Sequence, residues 1–358
     1  MLPIFAALHQ LTVAETYMRR CLQLATLGKG NVAPNPMVGA VLVHNGKIIG
    51  EGFHRQFGKP HAEVNCLQSV PPALVNLIPN AHLYVSLEPC AHYGKTPPCA
   101  DLIIHSGIRQ VTIGCSDPFA EVAGKGIQKL VDAGIRVNKS ALEAEAISLN
   151  NRFFTFHQKN RPYIILKWAQ TANGIIGSAT AERLQISSAY TNRLVHRWRS
   201  EEAAILVGTN TAAADDPSLT TRLWPGKNPV RMVLDLHLRL PHTLKVFDRS
   251  VPTVIWNKVK NAEEENLRYR LLPAAEGVIS SLLRECHHLQ IQSVLVEGGA
   301  HLLQAFIDAS VWDEARVINN TSLTVNGGVE APRMNGGPPR ETQRVGDDFI
   351  QTFSNPFS

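Results

Sequence analysis

The pattern of apolar and polar residues along the chain predicts alternating helices and strands. Apolar residues recur at helical spacing over residues 15–27, and the glycines that follow are typical of a helix end. Two apolar runs, 38–43 and 47–51, flank Asn45-Gly46, a dipeptide that favours a tight turn. This segment therefore predicts a β-hairpin directly after the first helix.

Short apolar runs alternate with helical stretches through the rest of the first half. We expect strands at 81–86 and 111–114, and helices at 61–68, 99–106, 126–132 and 140–156. This alternation predicts a three-layer α/β domain with a partly parallel sheet. Ligands of such sheets bind where strands end and helices begin.

A domain boundary is predicted at Asn160-Arg161-Pro162, where proline breaks the last helical stretch. The chain has 358 residues, whereas single cores stop growing at about 250–300 residues. We therefore expect two domains, 1–159 and 160–358. In the second domain we expect helices at 191–200 and 301–308 and strands at 163–169, 203–208, 231–235, 251–256 and 293–297, which is again an α/β pattern.

Composition and charge narrow the class of partner. Hydrophobic residues make up 44% and charged residues 18% of the chain, as in ordinary globular proteins. The net charge of +5 is dispersed, and no basic run is interleaved with aromatic residues. A nucleic-acid-binding or nucleic-acid-editing protein is the alternative from another class, and it would need stacking aromatics near its site. We expect no nucleic-acid partner and a phosphorylated small-molecule substrate.

Cysteine usage and the N-terminus indicate a cytoplasmic protein. The six cysteines form no compact disulfide framework, which favours a reducing compartment. The N-terminal stretch has neither a positively charged leader nor a small-residue cleavage site, so it is a poor secretory signal. No apolar run is long enough to span a membrane, and we expect no membrane partner.

Four residues in two short motifs predict a zinc hydrolase, and a deaminase in particular. PHAEV (60–64) supplies His61 and Glu63, and VSLEPCAHYGKTPPC (85–99) supplies Cys90 and Cys99. One imidazole and two thiolates are three zinc ligands, which leave a fourth position open for water. Glu63 does not bind the metal in this pattern. It is the carboxylate that moves a proton from the attacking water to the leaving amine.

Two alternatives compete with the catalytic zinc. His61 could be a packed histidine and the cysteines buried thiols, but the ordered set of four residues is more specific than any one of them. A structural zinc would need a fourth protein ligand. His92 is the candidate for that ligand, although it follows Cys90 closely.

Gly298-Gly299 is a candidate phosphate site in the second half. It follows an apolar strand and precedes a helical stretch, where free backbone N–H groups bind anions. A plain turn between strand and helix explains the same two glycines equally well.

Segments of the first half resemble the deaminase half of the bifunctional riboflavin-biosynthesis deaminase-reductases. They are APNPMVGAVLV (33–43), GFHRQFGKPHAEV (52–64) and LEPCAHYGKTPPCADLI (87–103). Most cytidine-type deaminases have Pro-Cys-x-x-Cys. The later second cysteine here is this family's own form, and it argues against a nucleoside or nucleic-acid deaminase.

The resemblance continues through the second half. LKWAQTANGIIG (166–177), a long segment at 186–222 and LVEGG (295–299) are similar to the family's reductase half, which binds NADPH. The implied fold class is α/β, with an N-terminal cytidine-deaminase-like three-layer domain followed by a dihydrofolate-reductase-like α/β domain. The resemblance also implies a homodimer.

The implied activity has two steps. The first removes an exocyclic amine from 2,5-diamino-6-(phosphoribosylamino)pyrimidinone. The second reduces the ribosyl group of the resulting 5-aminouracil to ribityl with NADPH. The alternative within the same class is an active deaminase whose second domain only binds substrate or dimerises.

The resemblance also assigns residues to roles. In the first half His61, Cys90 and Cys99 are zinc ligands and Glu63 is the catalytic proton shuttle. Asn35, His54 and Lys95 are substrate contacts, each with a plain alternative as turn former, hydrogen-bonded histidine and solvated lysine. In the second half the substrate contacts are Lys167, Arg183, Arg199, Leu219, Arg222 and Glu297, and the cofactor contacts are Ala169, Gln185, Thr211, Asp215, Gly298 and Gly299. We interpret Arg193, His196 and Arg197 as a solvated surface beside Arg199.

The chain departs from the family pattern only in the second half. Asn173 replaces an aspartate, Gln185 replaces a tryptophan, and Leu236 replaces a serine or threonine. Arg183 replaces a serine, so it either adds a phosphate contact or intrudes on the pocket. Each change is expected to weaken or alter the reductase. No 2′-phosphate-binding arginine can be assigned, so the choice of NADPH over NADH rests on the resemblance.

Overall fold

The computed structural model describes residues 12–92, 97–119, 121–178, 184–273, 276–334 and 337–356. The chain divides into two compact units, Met1–Gln158 and Lys159–Ser358. The sequence-based boundary lies between residues 159 and 160. No helix within the described ranges combines the length and apolarity that a membrane span requires.

The first unit is built on one five-stranded sheet. Its strands are β1 Gly39–His44, β2 Lys47–Phe53, β3 His82–Leu87, β4 Gln110–Cys115 and β5 Arg136–Lys139. Its helices are α1 Val13–Thr26, α2 Ala62–Gln68, α3 Cys99–His105, α4 Lys125–Asp132, α5 Glu143–Leu149 and α6 Asn151–Lys159, with a 3-10 helix at Pro72–Asn80. The strand order is β2-β1-β3-β4-β5, and β3, β4 and β5 are parallel.

Period-two alternation along the strands produces the three layers. Leu42 of β1 belongs to the same buried cluster as Cys66 of α2. The next residue, Val43, packs instead with Met18 of α1. Successive side chains of a strand point to opposite faces, so helices cover both sides of the sheet. The predicted three-layer domain and its partly parallel sheet are confirmed.

The predicted helix at 140–156 is wrong in one respect, because it is two helices that break at Asn150. The Asn150 side chain is buried and accepts the Met37 N–H at 2.8 Å while donating to the Met37 carbonyl at 2.9 Å. An asparagine that bonds a distant backbone in this way favours a helix end over a helix interior. Strand β5 was also missed, because its residues lack the apolar alternation of a buried strand.

The second unit is built on a ten-stranded sheet. Its helices are α7 Ala189–Glu201, α8 Thr209–Asp215, α9 Val278–His288 and α10 Ala300–Asp308, with a 3-10 helix at Lys245–Phe247. Its strands are β6 Tyr163–Gln170, β7 Ile175–Gly177, β8 Ala204–Gly208, β9 Val230–Leu234, β10 Thr253–Asn257, β11 Ala262–Glu264, β12 Leu267–Leu271, β13 Ser293–Val296, β14 Glu314–Asn320, β15 Val329–Glu330, β16 Glu341–Val345 and β17 Asp348–Ser354. The strand order is β11-β12-β10-β9-β8-β13-β6-β14-β17-β16, and β7 pairs separately with β15.

The middle strands of this sheet are parallel and covered on both faces. Val294 of β13 packs with Phe306 of α10. The next residue, Leu295, packs with Trp198 of α7. Such strands read as continuous apolar runs, which is why the sequence predicted β13 and β8. The edge strand β16 was missed because its residues are mostly exposed and polar.

We expect Asn150→Ala to destabilise the first unit by about 1–3 kcal/mol, because it leaves the buried N–H and carbonyl of Met37 without partners. Urea unfolding followed by circular dichroism measures the loss. All five tryptophans lie at positions above 160, so tryptophan fluorescence reports the second unit and should not change. Glu145→Ala, at an exposed site on α5, is the control. An unchanged transition in Asn150→Ala would contradict the role of this bond.

Candidate active sites

Three predicted metal ligands meet where two helices begin. His61 is the N-cap residue of α2, Cys99 is the first residue of α3, and Cys90 lies in the loop after β3. The Nδ1 of His61 is 3.4 Å from the Cys99 sulfur and 3.6 Å from the Cys90 sulfur. All three ligand atoms lie within 4.8 Å of one another. The structure therefore brings together residues that are up to 38 positions apart in the chain.

These distances fit a zinc ion. Tetrahedral bonds of about 2.3 Å to sulfur and about 2.0 Å to nitrogen place the two ligand atoms about 3.5 Å apart, which matches the observed 3.4 and 3.6 Å. Hydrogen bonds from Cys99 and His61 lower the pKa of Cys90, as a thiolate ligand requires. Among the described residues His92 is not part of this group, so the arrangement favours an open site over a four-ligand structural site.

Glu63 is the second residue of α2, in its first turn, and lies beside the ligands but outside their group. Its side chain is 3% exposed. Burial, followed by the charge of Cys90, raises the pKa of Glu63 above its ordinary value. A raised pKa suits a carboxyl group that both takes and returns a proton near neutral pH.

Asn35 and His54 form a hydrogen-bonded pair next to the ligands. The His54 ring lies 5.2 Å from the His61 ring. Its Nδ1 is 3.1 Å from the Pro60 carbonyl, which can only accept, so Nδ1 carries the proton and Nε2 accepts from the Asn35 amide at 3.2 Å. Burial lowers the pKa of His54, which keeps the ring neutral. The third predicted contact, Lys95, lies outside the described residues.

The second unit contains a cavity of about 1070 Å³, at the upper end of the range for small-molecule sites. Every described residue that the sequence assigned to the reductase lines it. These residues are Lys167, Ala169, Gln185, Arg199, Thr211, Asp215, Leu219, Arg222, Glu297, Gly298 and Gly299. Arg183 lies outside the described residues.

A buried ion cluster forms one wall of this cavity. Arg199 binds Glu297 through two parallel hydrogen bonds of 2.8 Å, and Lys167 lies 3.7 Å from the same carboxylate. Burial opposes ionisation of Glu297, but Arg199 and Lys167 more than offset it and lower the pKa to about 2. Arg199 also donates to the Thr220 carbonyl at 3.2 Å. This arginine is therefore held in place before any ligand arrives.

His196 belongs to the cavity, and its interpretation as solvated surface is wrong. It is 6% exposed, and its Nδ1 accepts the backbone N–H of Arg222 at 2.9 Å. Burial, together with the charges of Arg199 and Arg222, lowers the pKa of His196 to about 4, so the ring is neutral. The missed signal was helical spacing, because residues three apart share a face of α7. Arg197 points elsewhere and pairs with Glu201.

The two glycines after β13 have different structural reasons. A Cβ on Gly298 would lie 2.7 Å from the Gly208 backbone nitrogen, so close approach of β8 requires glycine there. The Gly299 N–H donates to the Thr211 hydroxyl at 2.7 Å and is not the free donor that the sequence suggested. The N–H groups of Ala300 and His301, at the start of α10, have no hydrogen-bond acceptor among the described residues.

Basic residues lie at the cavity wall beyond β9, and sequence reasoning missed them. His237, Arg239 and Lys245 all line the cavity. Asp235, by contrast, is 1% exposed, and its carboxylate turns inward to accept the Leu240 N–H at 3.0 Å. His237 and Arg239 make the wall basic at this point, whereas Lys245 pairs with Asp216, which also lines the cavity. For His237 and Arg239, the signal in the sequence was their position just after a parallel strand.

Comparison with known proteins identifies both halves. Residues 11–115 match the cytidine and deoxycytidylate deaminase zinc-binding region, and residues 162–355 match the RibD C-terminal domain. The riboflavin biosynthesis protein RibD of Aquifex aeolicus is 41% identical over 84% of this chain and 85% of its own length. That of Bacillus amyloliquefaciens is 39% identical over 90% and 88%. The chain belongs to the RibD family.

Solved structures of RibD proteins have the same fold. A Thermotoga maritima deaminase/reductase superposes with a TM-score of 0.85 at 36% identity, covering 96% of this chain and 99% of its own. An Acinetobacter baumannii RibD gives a TM-score of 0.84 at 30% identity, covering 96% and 98%. This member of the family is a bifunctional enzyme of riboflavin biosynthesis, with a cytidine-deaminase-like zinc domain and a reductase domain that uses NADPH. Nothing in the described residues favours a degenerate reductase.

The described departures from the family pattern differ in where they lie: Gln185 and Leu236 line the cavity, and Asn173 does not. Gln185 donates to the Ser187 carbonyl at 2.8 Å. Asn173 donates to the Val325 carbonyl at 2.8 Å and accepts from the Thr171 hydroxyl at 2.8 Å. Asn173 does not line the cavity, whereas Leu236 does. The aspartate-to-asparagine change therefore affects a loop contact.

We expect Asn173→Asp to leave NADPH affinity unchanged and to lower stability slightly, because a carboxylate loses the donor to the Val325 carbonyl. The loss should be about 1 kcal/mol, measured by tryptophan fluorescence during thermal unfolding. NADPH affinity is measured by calorimetry on the same protein. A change of tenfold or more in that affinity would show that the position acts on the reductase site.

Proposed function

We propose that the first unit deaminates 2,5-diamino-6-(5-phosphoribosylamino)pyrimidin-4(3H)-one. The second unit then reduces the ribosyl side chain of 5-amino-6-(5-phosphoribosylamino)uracil to ribityl. The Thermotoga maritima relative carries a deaminase name and a reductase name for these two compounds. The observation that carries the deaminase assignment is the cluster of His61, Cys90 and Cys99 at zinc-ligand spacing, with the buried carboxyl of Glu63 beside it.

In the deaminase site each residue has a separate role. His61, Cys90 and Cys99 hold the zinc, which when bound lowers the pKa of water at the open position. Glu63 takes a proton at its carboxylate and returns it to the leaving amine. Asn35, whose amide already donates to His54, offers its carbonyl oxygen to the pyrimidine. Lys95, which lies outside the described residues, is assigned to the pyrimidine or the phosphate of the same substrate.

In the reductase site the ion cluster recognises the substrate. Lys167, Arg199 and Glu297 are held together before binding, so little side-chain entropy is lost when the ligand arrives. Arg222 binds the phosphate through its guanidinium. Arg183 and the backbone around Leu219, whose side chain is only 2% exposed, complete the contact. Neutral His196 keeps the Arg222 backbone in position.

The cofactor occupies the other part of the cavity. NADPH, when bound, supplies the hydride for the reduction. We assign its contacts to Ala169, Gln185, Thr211, Asp215, Gly298 and Gly299. The pyrophosphate lies against the open N–H groups at the start of α10.

Arg239 is proposed to bind the 2′-phosphate. In dinucleotide-binding α/β folds an acidic residue bonds the ribose 2′-hydroxyl of NAD, whereas a nearby arginine accommodates the 2′-phosphate of NADP. Here Asp235 is turned inward and Arg239 is exposed at the cavity. His237 adds a second basic group at the same place.

A cytoplasmic homodimer without nucleic-acid or membrane partners completes the proposal. None of the six cysteines forms a disulfide, as expected in a reducing compartment. Sedimentation equilibrium tests the dimer, and a monomer at micromolar concentration would overturn it. Salt-dependent binding to RNA in a filter assay would overturn the absence of a nucleic-acid partner.

The first test is a two-stage assay on zinc-loaded protein. Ammonia release from the diaminopyrimidine phosphate is measured first, and oxidation of NADPH second. Both signals are expected. Ammonia release without NADPH oxidation would show that the second unit is only a binding or dimerisation domain. The absence of both signals would rule out the proposed substrate.

We expect Glu63→Gln to keep zinc and to slow deamination by about 10²–10⁴-fold, because the amide cannot carry the proton. Zinc content and ammonia release are measured on the same preparation, and NADPH oxidation with the deaminated substrate should not change. Cys90→Ser is the contrasting variant, which should lose zinc and deamination together. Substantial turnover by Glu63→Gln would remove Glu63 from its role.

We expect Arg239→Ala to weaken NADPH binding about tenfold or more and to leave NADH binding unchanged, because a charge-assisted hydrogen bond to phosphate contributes about 1.5–3 kcal/mol. Calorimetric titration with each cofactor measures the difference. Arg193→Ala, an exposed arginine on α7 that does not line the cavity, is the matched control. If the binding of NADPH and of NADH weakened equally, Arg239 would contact a part of the molecule that both cofactors have, and not the 2′-phosphate.

A further inference from the structure

Glu88 is a second buried carboxylate of the first unit, and the proposed chemistry does not use it. It lies between β3 and Cys90 and is 3% exposed. Its two oxygens accept four backbone N–H groups at 3.0–3.2 Å. The donors are Asp117, Gly124, Gly126 and Ile127.

These four hydrogen bonds determine whether the Glu88 carboxylate can accept a proton. A carboxylate has about four lone-pair sites, and four donors occupy them. Glu88 therefore has no site left for a substrate proton. It differs in this from Glu63, which lies beside the ligand group two residues after His61.

Three of the donors belong to the start of α4. The first N–H groups of a helix have no partner inside the helix. Gly124, the N-cap residue of α4, has no side chain that could cap them. Glu88 supplies this cap from another part of the chain, and its negative charge strengthens each bond. The segment before Cys90 is thus tied to α4.

Close backbone packing reinforces the same contact. A Cβ placed on Gly126 would lie 1.9 Å from the Pro89 carbonyl oxygen. Only glycine allows α4 to approach Pro89 so closely. The chain immediately before Cys90 therefore lies against the first turn of α4.

Cys90 is also held from its other side. The Ala100 N–H, in the first turn of α3, donates to the Cys90 carbonyl at 3.1 Å. The Cys99 N–H donates to the Cys90 sulfur at 3.3 Å. Cys90 is therefore fixed between the start of α3 and the Glu88 contact with α4.

We propose that Glu88 is a positioning residue for the zinc site. It ties the Cys90 segment to α4 and so keeps the Cys90 sulfur where a zinc bound to His61 and Cys99 needs it. This inference rests on the proposed zinc ligands. Partners that orient metal ligands in this way commonly change metal affinity by 10–100-fold when they are removed.

The test compares zinc affinity in Glu88→Gln and the native full-length protein. The amide nitrogen cannot accept N–H groups, so at least one oxygen's two bonds are lost. We expect the zinc Kd, measured by competition with a chromophoric chelator, to rise about 10–100-fold. The absorption spectrum of the Co²⁺-substituted protein should also change, because it reports ligand geometry. NADPH oxidation by the second unit serves as an internal control and should not change.

Glu145→Gln, the same substitution at an exposed site on α5, is the matched control and should bind zinc as the native protein does. Circular dichroism establishes that each variant is folded at the measuring temperature. If Glu88→Gln does not fold, the same measurements are made on Glu88→Asp instead. Aspartate keeps the negative charge, but its side chain is one methylene shorter and does not reach the N–H groups of α4.

Native zinc affinity and an unchanged Co²⁺ spectrum in the deciding variant would overturn the proposal. A lower unfolding temperature with native zinc affinity would overturn it as well, because Glu88 would then be merely structural. Cys90→Ser is measured in parallel, so that failure of the Glu88 proposal can be told apart from failure of the zinc-ligand assignment. If Cys90→Ser retained zinc, the ligand set itself would be wrong.

Discussion

The spacing of three side-chain atoms is the constraint on which the first unit depends. The Nδ1 of His61 must lie about 3.5 Å from each of two sulfurs for one zinc to bind all three atoms, and it lies at 3.4 and 3.6 Å. To meet this spacing, α2, α3 and the loop after β3 have to converge at one point. Helix packing on the sheet brings them near. Hydrogen bonds from α4 to Glu88 hold the segment before Cys90, and the Ala100 N–H donates to the Cys90 carbonyl.

Three buried glutamates show how surroundings give one side chain three different uses. Glu63 has burial and a nearby thiolate, which raise its pKa and suit proton transfer. Glu88 has four backbone donors, which leave it only a positioning role. Glu297 has Arg199 and Lys167, which lower its pKa to about 2 and keep it charged at the reductase cavity. The residue type is the same, and the neighbours decide the chemistry.

The second unit shows why departures from a family pattern need a structure to interpret. The loss of a carboxylate at Asn173 suggested a weakened reductase, yet this side chain bonds the Val325 carbonyl and lies off the cavity. Leu236 does line the cavity. Basic residues beyond β9, Arg239 among them, line the same cavity. Their position after β9 is visible in the sequence, but only the folded chain brings them together at the cavity wall.

The sequence by itself determined the zinc residues, the α/β class and most buried strands, because ligand types and apolar periodicity are local properties. Every described residue that the family motifs assigned to the reductase also lines the cavity. Tertiary structure alone decided that His196 is buried beside Arg222, that Gly299 donates to Thr211, and that Glu88 binds α4. These contacts join residues far apart in the chain. Their partners depend on how the helices and strands pack, which local patterns do not encode.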